Sequence, residues 1–265
     1  MTTRKLFIIA SLLLVLFLFG CSKEEKPATV AEQPTTAAPA PQSGVDPATA
    51  ATITGKVLFT GTAPKPNKLR MDADAACVAL HGQPVFAQDV VVNDNKTLRW
   101  VFVYIKSGLG DRTFPAPKEP VVLDQRGCLY TPHVFGAQTG QDIHIVNSDQ
   151  TTHNIHPVPT NNREWNTSMA PGAEHLVKNF PREEVLIPVK CNVHPWMKGY
   201  IGVLKHPFFA VTGPDGTFTI KGLPPGKYTI AAWQEKLGTV EQEVTVGPKE
   251  TKKVDFAFKP AGGGN

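Results

Sequence analysis

The sequence has few cysteines, little net charge and no apolar segment long enough to cross a bilayer. Its 265 residues include 4 cysteines, too few for a small fold held together by disulfides. The 27 basic and 23 acidic residues leave a net charge of only +4, which excludes the strongly basic surface of a nucleic-acid-binding protein. The apolar run from residue 6 to residue 19 is shorter than the ~20 residues that a membrane-spanning helix needs. These deficits exclude a polytopic membrane protein and leave one or two globular domains.

The sequence also lacks the short motifs that accompany catalysis. It contains no G-x-S-x-G nucleophile turn, no phosphate-binding P-loop and no H-E-x-x-H metalloprotease helix. A C-x-x-C-H haem-attachment site is absent as well. We therefore expect a protein that binds or carries something and is not an enzyme.

The N-terminus has the pattern of a secretion signal. Arg4 and Lys5 precede the apolar run 6–19. The string L-F-G-C that ends at Cys21 resembles a bacterial lipobox, although its phenylalanine is bulkier than the family prefers. This resemblance implies that residues 1–20 are removed as a lipoprotein signal peptide and that Cys21 is lipidated. The alternative is an ordinary cleaved signal with an incidental cysteine, and in both cases the folded chain is expected outside the cytoplasm.

Residues 21–51 are rich in proline and alanine and have no aromatic residue, so they cannot bury enough surface to fold. We interpret them as a tether between the lipid and the folded part. Ser22, rather than aspartate, follows Cys21, which resembles an outer-membrane sorting signal in bacteria that have an outer membrane. We expect a protein on the periplasmic or cell-surface face of a bacterial membrane, attached by its lipid only.

After the tether, the pattern of apolar residues is that of β-structure. Ile53, Val57 and Phe59 alternate with polar or small residues, which predicts a strand with one buried face. Residues 100–105 are apolar at every position, as in a strand that is covered on both faces. Turns rich in glycine, proline, aspartate and asparagine separate such runs, and only residues 72–80 suggest a short helix. The predicted fold class is all-β.

Residues 191–197, C-N-V-H-P-W-M, place three soft metal-binding side chains close together. Apolar residues alternate before this loop at Val185, Ile187 and Val189. The alternation continues to Cys191, so we expect its thiol to point into the interior at the end of a strand. A tight loop would then bring His194 and Met197 back toward the sulfur. A thiolate, an imidazole and a thioether form a donor set that suits copper better than magnesium or calcium.

A second imidazole has to come from a neighbouring strand, and the candidates are His153 and His156. They are three positions apart, so on a strand they face opposite sides and only one is expected to reach the site. Here the sequence resembles the cupredoxin family of plastocyanin, azurin and amicyanin. Its V-N-x-D followed by H-N-I is similar to that family's first-ligand segment, and its C-x2-H-x2-M is similar to the ligand loop of amicyanin. The resemblance selects His153.

The cupredoxin resemblance covers about residues 118–205, the core of a copper domain that we place at 52–205 with an N-terminal extension. It implies a Greek-key β-sandwich that holds one type 1, or blue, copper ion. The implied copper ligands are His153, Cys191, His194 and, as a weak axial ligand, Met197. The resemblance also implies that Asn154 ties the two ligand segments together by hydrogen bonds. Many family members have proline where this chain has Val193, so hydrogen bonding near the thiolate is expected to differ.

In cupredoxins the histidine of the ligand loop lies near the surface in an apolar patch and passes single electrons. That role would fall to His194, with Pro195 and Trp196 as the surface that docks a redox partner such as a c-type cytochrome. Trp196 as a simple core residue is the alternative. The expected function is electron transfer. Two other functions stay open, a copper-delivery lipoprotein without redox turnover and a structural surface module that binds no metal.

Two further cysteines, Cys77 and Cys128, are left once Cys21 and Cys191 have been assigned. In an oxidising compartment we expect them to form a disulfide with each other. The alternative is a second metal site, because the pairs Cys77/His81 and Cys128/His133 would together supply a Cys₂His₂ ligand set.

The last segment, residues 206–260, has its own signature. The string GPDGTFTIKGLPPGKYTIAAW combines two turns with alternating strands and resembles the transthyretin-like carboxypeptidase regulatory domain, a smaller β-sandwich. In that family the module stabilises or binds partners and has no catalytic role. The string ITGKVLFTG at residues 53–61 resembles the first strand of the same module. The module is therefore either confined to 206–260 or split, with the copper domain inserted into it.

Overall fold

The computed structural model describes residues 44–260. The predicted signal peptide 1–20, the lipidation site Cys21, most of the tether and residues 261–265 lie outside the described residues. Within the described part, no helix has both the length and the apolar character needed to cross a membrane.

The regular secondary structure of the described residues is almost entirely strand. The first elements are β1 (Ala51–Phe59), α1 (Ala75–Ala79), β2 (Val91–Val92), β3 (Leu98–Arg99), β4 (Phe102–Ser107), β5 (Val121–Arg126) and β6 (Leu129–Thr131). The middle elements are β7 (Val134–Gln138), β8 (Ile143–Asn147), β9 (His153–Pro157), β10 (Thr167–Met169), β11 (Leu176–Lys178), β12 (Glu184–Lys190) and β13 (Lys198–Leu204). The last are β14 (Phe209–Val211), β15 (Thr217–Leu223), β16 (Gly226–Gln234), β17 (Gly238–Val246), β18 (Thr251–Lys253) and β19 (Phe256–Phe258).

The first sandwich consists of a five-stranded sheet in the order β10-β9-β12-β13-β7 and a four-stranded sheet in the order β11-β8-β5-β6. Strands that are distant in the sequence are neighbours in both sheets, as in a Greek-key sandwich, and β5–β8 and β7–β13 are parallel pairs. Leu123 and Ile145 from one sheet meet Ile155, Ile187 and Ile201 from the other in a single core. Alternating apolar residues therefore produce the predicted all-β class, because each strand buries one face.

The second sandwich combines C-terminal strands with two strands from the start of the folded chain. One sheet contains β15, β1, β18 and β19, and the other has the order β14-β4-β16-β17. Strand β1 is antiparallel to β15 and parallel to β18 and β19. Residues 121–204, which form the first sandwich, thus lie in the chain between β4 and β14.

This pairing favours the split module that the sequence left open for residues 53–61. It also takes β4 out of the copper domain, which was placed at 52–205 from the sequence. Strands β1 and β4 instead contribute Ile53, Val57, Val103 and Ile105 to the core of the second sandwich. Apolar alternation shows that a strand has a buried face, but it does not show which distant strands will cover that face.

Strand β4 is covered on both faces because it lies between the two sandwiches. Val103 and Ile105 face the core of the second sandwich. Phe102 and Tyr104, on the opposite face, pack with Val134 of β7 and other residues of the first sandwich. The uninterrupted apolar run at 100–105 thus reflects a strand with two buried faces. One face packs in the core of the second sandwich, and the other packs at the contact with the first sandwich.

The strand before the ligand loop departs from the regular alternation that the sequence suggested. The pairing of β12 with β13 shifts register between Glu184 and Ile187, and Leu186 has a φ of 66°. This bulge turns Val185 outward, where 38% of its surface is exposed, while Ile187 stays buried. The prediction that Val185 faces the interior is therefore wrong, but the alternation from Ile187 to Cys191 holds.

Candidate metal centre

The ligand loop begins where β12 ends and is closed by its own hydrogen bonds. The Met197 amide donates to the His194 carbonyl over 2.9 Å, and the Cys191 amide donates to the Met197 carbonyl over 3.2 Å. The His194 amide lies 3.4 Å from the Cys191 sulfur and donates to it. These bonds fold residues 191–197 into a tight turn, so the side chains of Cys191, His194 and Met197 are all buried.

His153, the first residue of β9, completes a buried group of nitrogen and sulfur atoms. Its Nδ1 lies 2.9 Å from Nδ1 of His194, and Nδ1 of His194 lies 3.8 Å from the Cys191 sulfur. Ligand atoms of His153, Cys191 and His194 all lie within 4.8 Å of one another. His156 faces the other side of β9, where its ring contacts Asn192 and Glu164. The structure thus places His153, the histidine that the cupredoxin resemblance selected, next to Cys191 and His194.

The donors in this group fit a copper ion. Two imidazole nitrogens and a thiol sulfur converge in a pocket where His153, Cys191 and His194 are at most 3% exposed. Met197 is fully buried in the same core and adds a thioether to the neighbourhood. Nitrogen and soft sulfur donors of this kind favour copper over the hard cations magnesium and calcium.

Asn154 connects the two segments that carry these side chains. Its Oδ1 accepts hydrogen bonds from the Asn192 amide over 2.7 Å and the Val193 amide over 3.3 Å. The same oxygen lies 3.3 Å from the Cys191 sulfur, and Nδ2 of Asn154 donates to Asn166. The free N–H of Val193, where many cupredoxins have proline, is thus used to hold the loop against β9.

A hairpin turn next to the site holds a carboxylate against His153. Gly127 and Cys128 connect β5 to β6 with φ values of 64° and 53°, the pattern of a two-residue type I′ turn. Both of their amides donate to Asp149 over 2.7 Å. Asp149 in turn lies 2.8 Å from Nε2 of His153. Since an ionised carboxylate can only accept, Nε2 carries the proton and Nδ1 is directed toward Cys191 and His194.

His194 has a similar partner from outside the sheets. Asp74 is the N-cap of α1, and its Oδ1 accepts from the Ala76 and Cys77 amides. Its Oδ2 lies 3.0 Å from Nε2 of His194 and accepts from the Thr151 hydroxyl. Both histidines of the site therefore contact a carboxylate through the nitrogen that points away from the other histidine.

Proton affinities at the site follow from these contacts. Burial by itself lowers the pKa of His153, but the hydrogen bonds to Asp149 and Cys191 outweigh it and raise the pKa to about 9. Burial raises the pKa of Cys191, but His153 and the nearby backbone amides outweigh it and lower the pKa to about 7. Without a metal, a proton on His153 therefore offsets the developing charge on the thiolate, and a cation that binds both ligands must displace that proton.

Cys77 and Cys128 form a disulfide that joins α1 to the turn between β5 and β6. Of the cysteines in the described residues, Cys191 alone is free. The histidines proposed for a second metal site have other partners: His81 contacts the Gly127 carbonyl and His133 contacts Glu235. Since both sulfurs are consumed in the disulfide, the alternative Cys₂His₂ site is not formed.

The expected surface position of His194 is wrong. Only 2% of His194 is exposed, because Asp74 covers its outer nitrogen and the sulfur of Cys77 lies 3.7 Å away. Pro195 is exposed, and Trp196 is half-buried with its ring centroid 5.0 Å from that of His194. The indole N–H of Trp196 donates to the Cys128 carbonyl. Trp196 is thus the half-exposed aromatic ring beside His194.

Asp74 and Asp149 lie next to the site, although neither was expected there from the sequence. Asp149 lies in the V-N-x-D string, four residues before His153, so its proximity had a local signal. Asp74 had none, because 120 positions separate it from His194 in the chain. The sequence around Asp74 shows only that this residue can cap the helix that begins at A-A-C-V-A.

Comparison with known proteins covers parts of the chain. A copper-containing nitrite reductase from Thermus scotoductus SA-01 is 20% identical to this chain, with a TM-score of 0.31. The match covers 37% of this chain and 25% of the reductase, so it spans about a quarter of that protein. A purple cupredoxin from Nitrosopumilus maritimus is 20% identical with a TM-score of 0.27, over 31% and 98% of the two chains. A reduced amicyanin variant is 20% identical with a TM-score of 0.29, over 38% and 97%.

No curated protein sequence matches the chain. The family model described as the carboxypeptidase regulatory-like domain matches residues 205–259, which contain β14 to β19. This match confirms the resemblance found in the sequence of residues 206–260. Residues 205–259 are thus similar to a carboxypeptidase regulatory-like domain, and β1 and β4 add strands from the beginning of the folded chain to the same sandwich.

Proposed function

We propose that this protein is an extracytoplasmic copper protein of the type 1 class that carries single electrons. The observation that supports the proposal most directly is the convergence of the His153 and His194 imidazoles on the Cys191 sulfur in a buried pocket. Met197 lies in the same core and would supply the weak axial ligand. The C-x2-H-x2-M loop and the preceding H-N-I segment give the proposal independent support from the sequence.

The chain's own residues supply a rigid, water-poor environment. A bound copper ion would supply one-electron chemistry between Cu(I) and Cu(II). Asn154 holds the ligand loop against β9, while Asp149 and Asp74 keep Nε2 of His153 and His194 protonated. Because these hydrogen bonds already fix the ligands, little has to rearrange when the charge at the site changes, which favours fast electron exchange.

The anchor and the partner are further parts of the proposal. Lipidation at Cys21 would hold the protein on the periplasmic or cell-surface side, and residues 22–51 would give it reach. A c-type cytochrome, or another redox partner, would dock at exposed Pro195 and half-buried Trp196. Since His194 is covered, we propose that electrons pass between His194 and the surface by way of the Trp196 ring, 5.0 Å away.

The visible and electron-spin spectra of the copper-loaded protein test the proposed function. We expect an intense thiolate-to-copper absorption band that is absent from Cys191→Ala. A colourless protein that binds copper weakly would contradict the proposal. Failure of a blue, loaded protein to exchange electrons with a c-type cytochrome would instead favour copper delivery.

The same spectrum tests the choice between the two histidines of β9. His153→Ala is expected to abolish the band because it removes a nitrogen from the buried group. His156→Ala is the matched control, since that ring contacts Asn192 and Glu164 on the opposite face. Loss of colour in His156→Ala alone would show that the ligand assignment is wrong.

A further inference from the structure

The copper site proposed above is covered by a segment that belongs to neither of its two sheets. Asp74 and Cys77 both contact the outer Nε2 of His194, at 3.0 Å and 3.7 Å. Asp74 and Cys77 belong to the start of α1, which the disulfide to Cys128 attaches to the sandwich. The ligand-loop histidine is thereby almost completely removed from solvent.

The two oxygens of Asp74 have separate tasks. Oδ1 accepts the Ala76 amide over 2.8 Å and the Cys77 amide over 3.4 Å, which is the usual work of a helix N-cap. Oδ2 accepts the Thr151 hydroxyl and faces His194. An aspartate side chain is a carboxylate at neutral pH and can only accept hydrogen bonds. An ionised acceptor here requires the proton of His194 to be on Nε2.

Asp149 makes the equivalent contact with His153, so the two imidazoles are held in the same way. Each has a carboxylate on Nε2, and their Nδ1 atoms lie 2.9 Å apart on the inner side. Carboxylates in this position fix the tautomer of a metal-ligating histidine, orient its ring and make it a stronger donor. The negative charge also favours the more highly charged state of a bound metal ion.

We propose that Asp74 is a positioning residue for the site: it keeps Nδ1 of His194 unprotonated and directed at the metal, and its charge stabilises Cu(II) relative to Cu(I). The proposal rests on the proposed function, because it deepens the account of one ligand of that site. Asp74 thus has a role beyond capping α1.

Asp74→Asn separates the two tasks of the side chain. Asparagine is as good an N-cap as aspartate, so its oxygen can keep the Ala76 and Cys77 amides. The remaining amide nitrogen is then a donor that faces the Nε2–H of His194, and the acceptor for that proton is lost. Asp72→Asn is the matched control, because it removes the same charge from an exposed side chain that contacts Arg70 and does not contact His194.

The first measurement uses the metal-free protein and nitrogen-15 NMR of the imidazole rings. In the wild type and in Asp72→Asn we expect His194 to carry its proton on Nε2. In Asp74→Asn we expect protonation at Nδ1 to appear. Unchanged tautomers in Asp74→Asn would overturn the proposal. This result does not depend on copper, so it remains decisive even if the loaded protein lacks a blue spectrum and the proposed function fails.

The second measurement uses the copper-loaded protein. Asp74→Asn is expected to raise the reduction potential and to weaken metal affinity by about ten- to a hundredfold in competition with a chelator. Asp72→Asn should match the wild type in both. Equal reduction potentials and equal metal affinities in Asp74→Asn and Asp72→Asn would show that Asp74 acts only as a helix cap. If Asp74→Asn does not fold, Asp74→Ser, which also caps α1 but lacks the carboxylate, is measured in its place.

Discussion

At the scale of single residues, burial and a few hydrogen bonds set opposite pKa shifts for two buried histidines. His153 is fully buried, yet Asp149 and Cys191 raise its pKa to about 9. His206 is buried as well, but it has no carboxylate partner, and burial lowers its pKa to about 4. Its Nδ1 accepts from the Phe208 amide, which a neutral ring can do and a protonated ring cannot. The same residue type is thus charged in one core and neutral in the other.

The buried, neutral His206 predicts a loss of stability in acid. Its pKa falls from 6.5 in the unfolded chain to about 4 in the folded protein. Between those values the unfolded chain binds more protons, so the free energy of unfolding falls as pH decreases from about 6.5 to about 4, by at most about 3 to 4 kcal/mol from this group. His206→Asn keeps an acceptor for the Phe208 amide but does not titrate. Urea unfolding of the metal-free proteins should therefore show a flatter pH dependence in the variant, and parallel curves would contradict the assignment.

At the scale of elements, short segments between the strands complete the site. The turn at Gly127 and Cys128 presents two amides to Asp149, and the N-terminus of α1 presents Asp74 to His194. Strand β12 has a bulge at Leu186, but it regains its alternation before Cys191. Strand β9 supplies His153 and the loop after β12 supplies the other candidate ligands, while further connections between elements supply the carboxylates that hold the histidines.

The disulfide is expected to hold α1 in place over the site. Cys77 and Cys128 are separated by 51 positions, and constraining a loop of that length in the unfolded chain contributes about 4 kcal/mol in the chain-entropy model. The double variant Cys77→Ala/Cys128→Ala should lower the free energy of unfolding by up to that amount. The amides of Val78 and Leu80 should also exchange with solvent faster.

Denaturant unfolding and hydrogen exchange of the metal-free protein measure both effects. A reducing agent should lower the free energy of unfolding of the wild type. The double variant is the control, because it lacks the disulfide and should not respond to the reducing agent. Wild-type exchange rates at Val78 and Leu80 in the double variant would show that the helix does not depend on the disulfide.

At the scale of the whole molecule, the two sandwiches share a packed contact. Phe102 of β4 and Phe209 of β14 are stacked with ring centroids 5.5 Å apart. They lie against Gly202 and Gly136, where an added Cβ would overlap the rings. His133 and Glu235, both nearly buried, pair across the same contact with Nε2 and Oε2 2.5 Å apart. The regulatory-like sandwich therefore braces the sheet that carries the ligand loop.

Gly202→Ala tests how tightly the two sandwiches are joined. The new methyl group would collide with the ring of Phe102, so Phe102 or strand β13 has to move. Overpacking of this kind costs about 1–3 kcal/mol. Gly82→Ala is the control, because nothing lies within 4 Å of its added Cβ. Thermal unfolding should show a lower Tm for Gly202→Ala alone, and a Tm equal to that of the control would mean that the contact is loose.

The sequence by itself determined the features that depend on local spacing. Alternating apolar residues indicated the all-β class, because a strand that buries one face needs an apolar residue at every second position. The C-x2-H-x2-M spacing and the end of an alternating run predicted a tight turn that brings His194 and Met197 back toward a buried Cys191, and the structure contains that turn. The turn-rich string in residues 206–260 was enough to recognise the regulatory-like domain.

Only the tertiary structure decided which distant residues meet. Strand β1 could have covered either core, and it pairs with C-terminal strands. Asp74 has the sequence signal of a helix cap, yet it lies against His194 across 120 positions and takes that histidine away from the surface. The physical reason is that hydrophobic alternation and ligand spacing specify how a segment faces its neighbours. The identity of those neighbours depends on how the completed sandwiches pack and on where the disulfide holds α1.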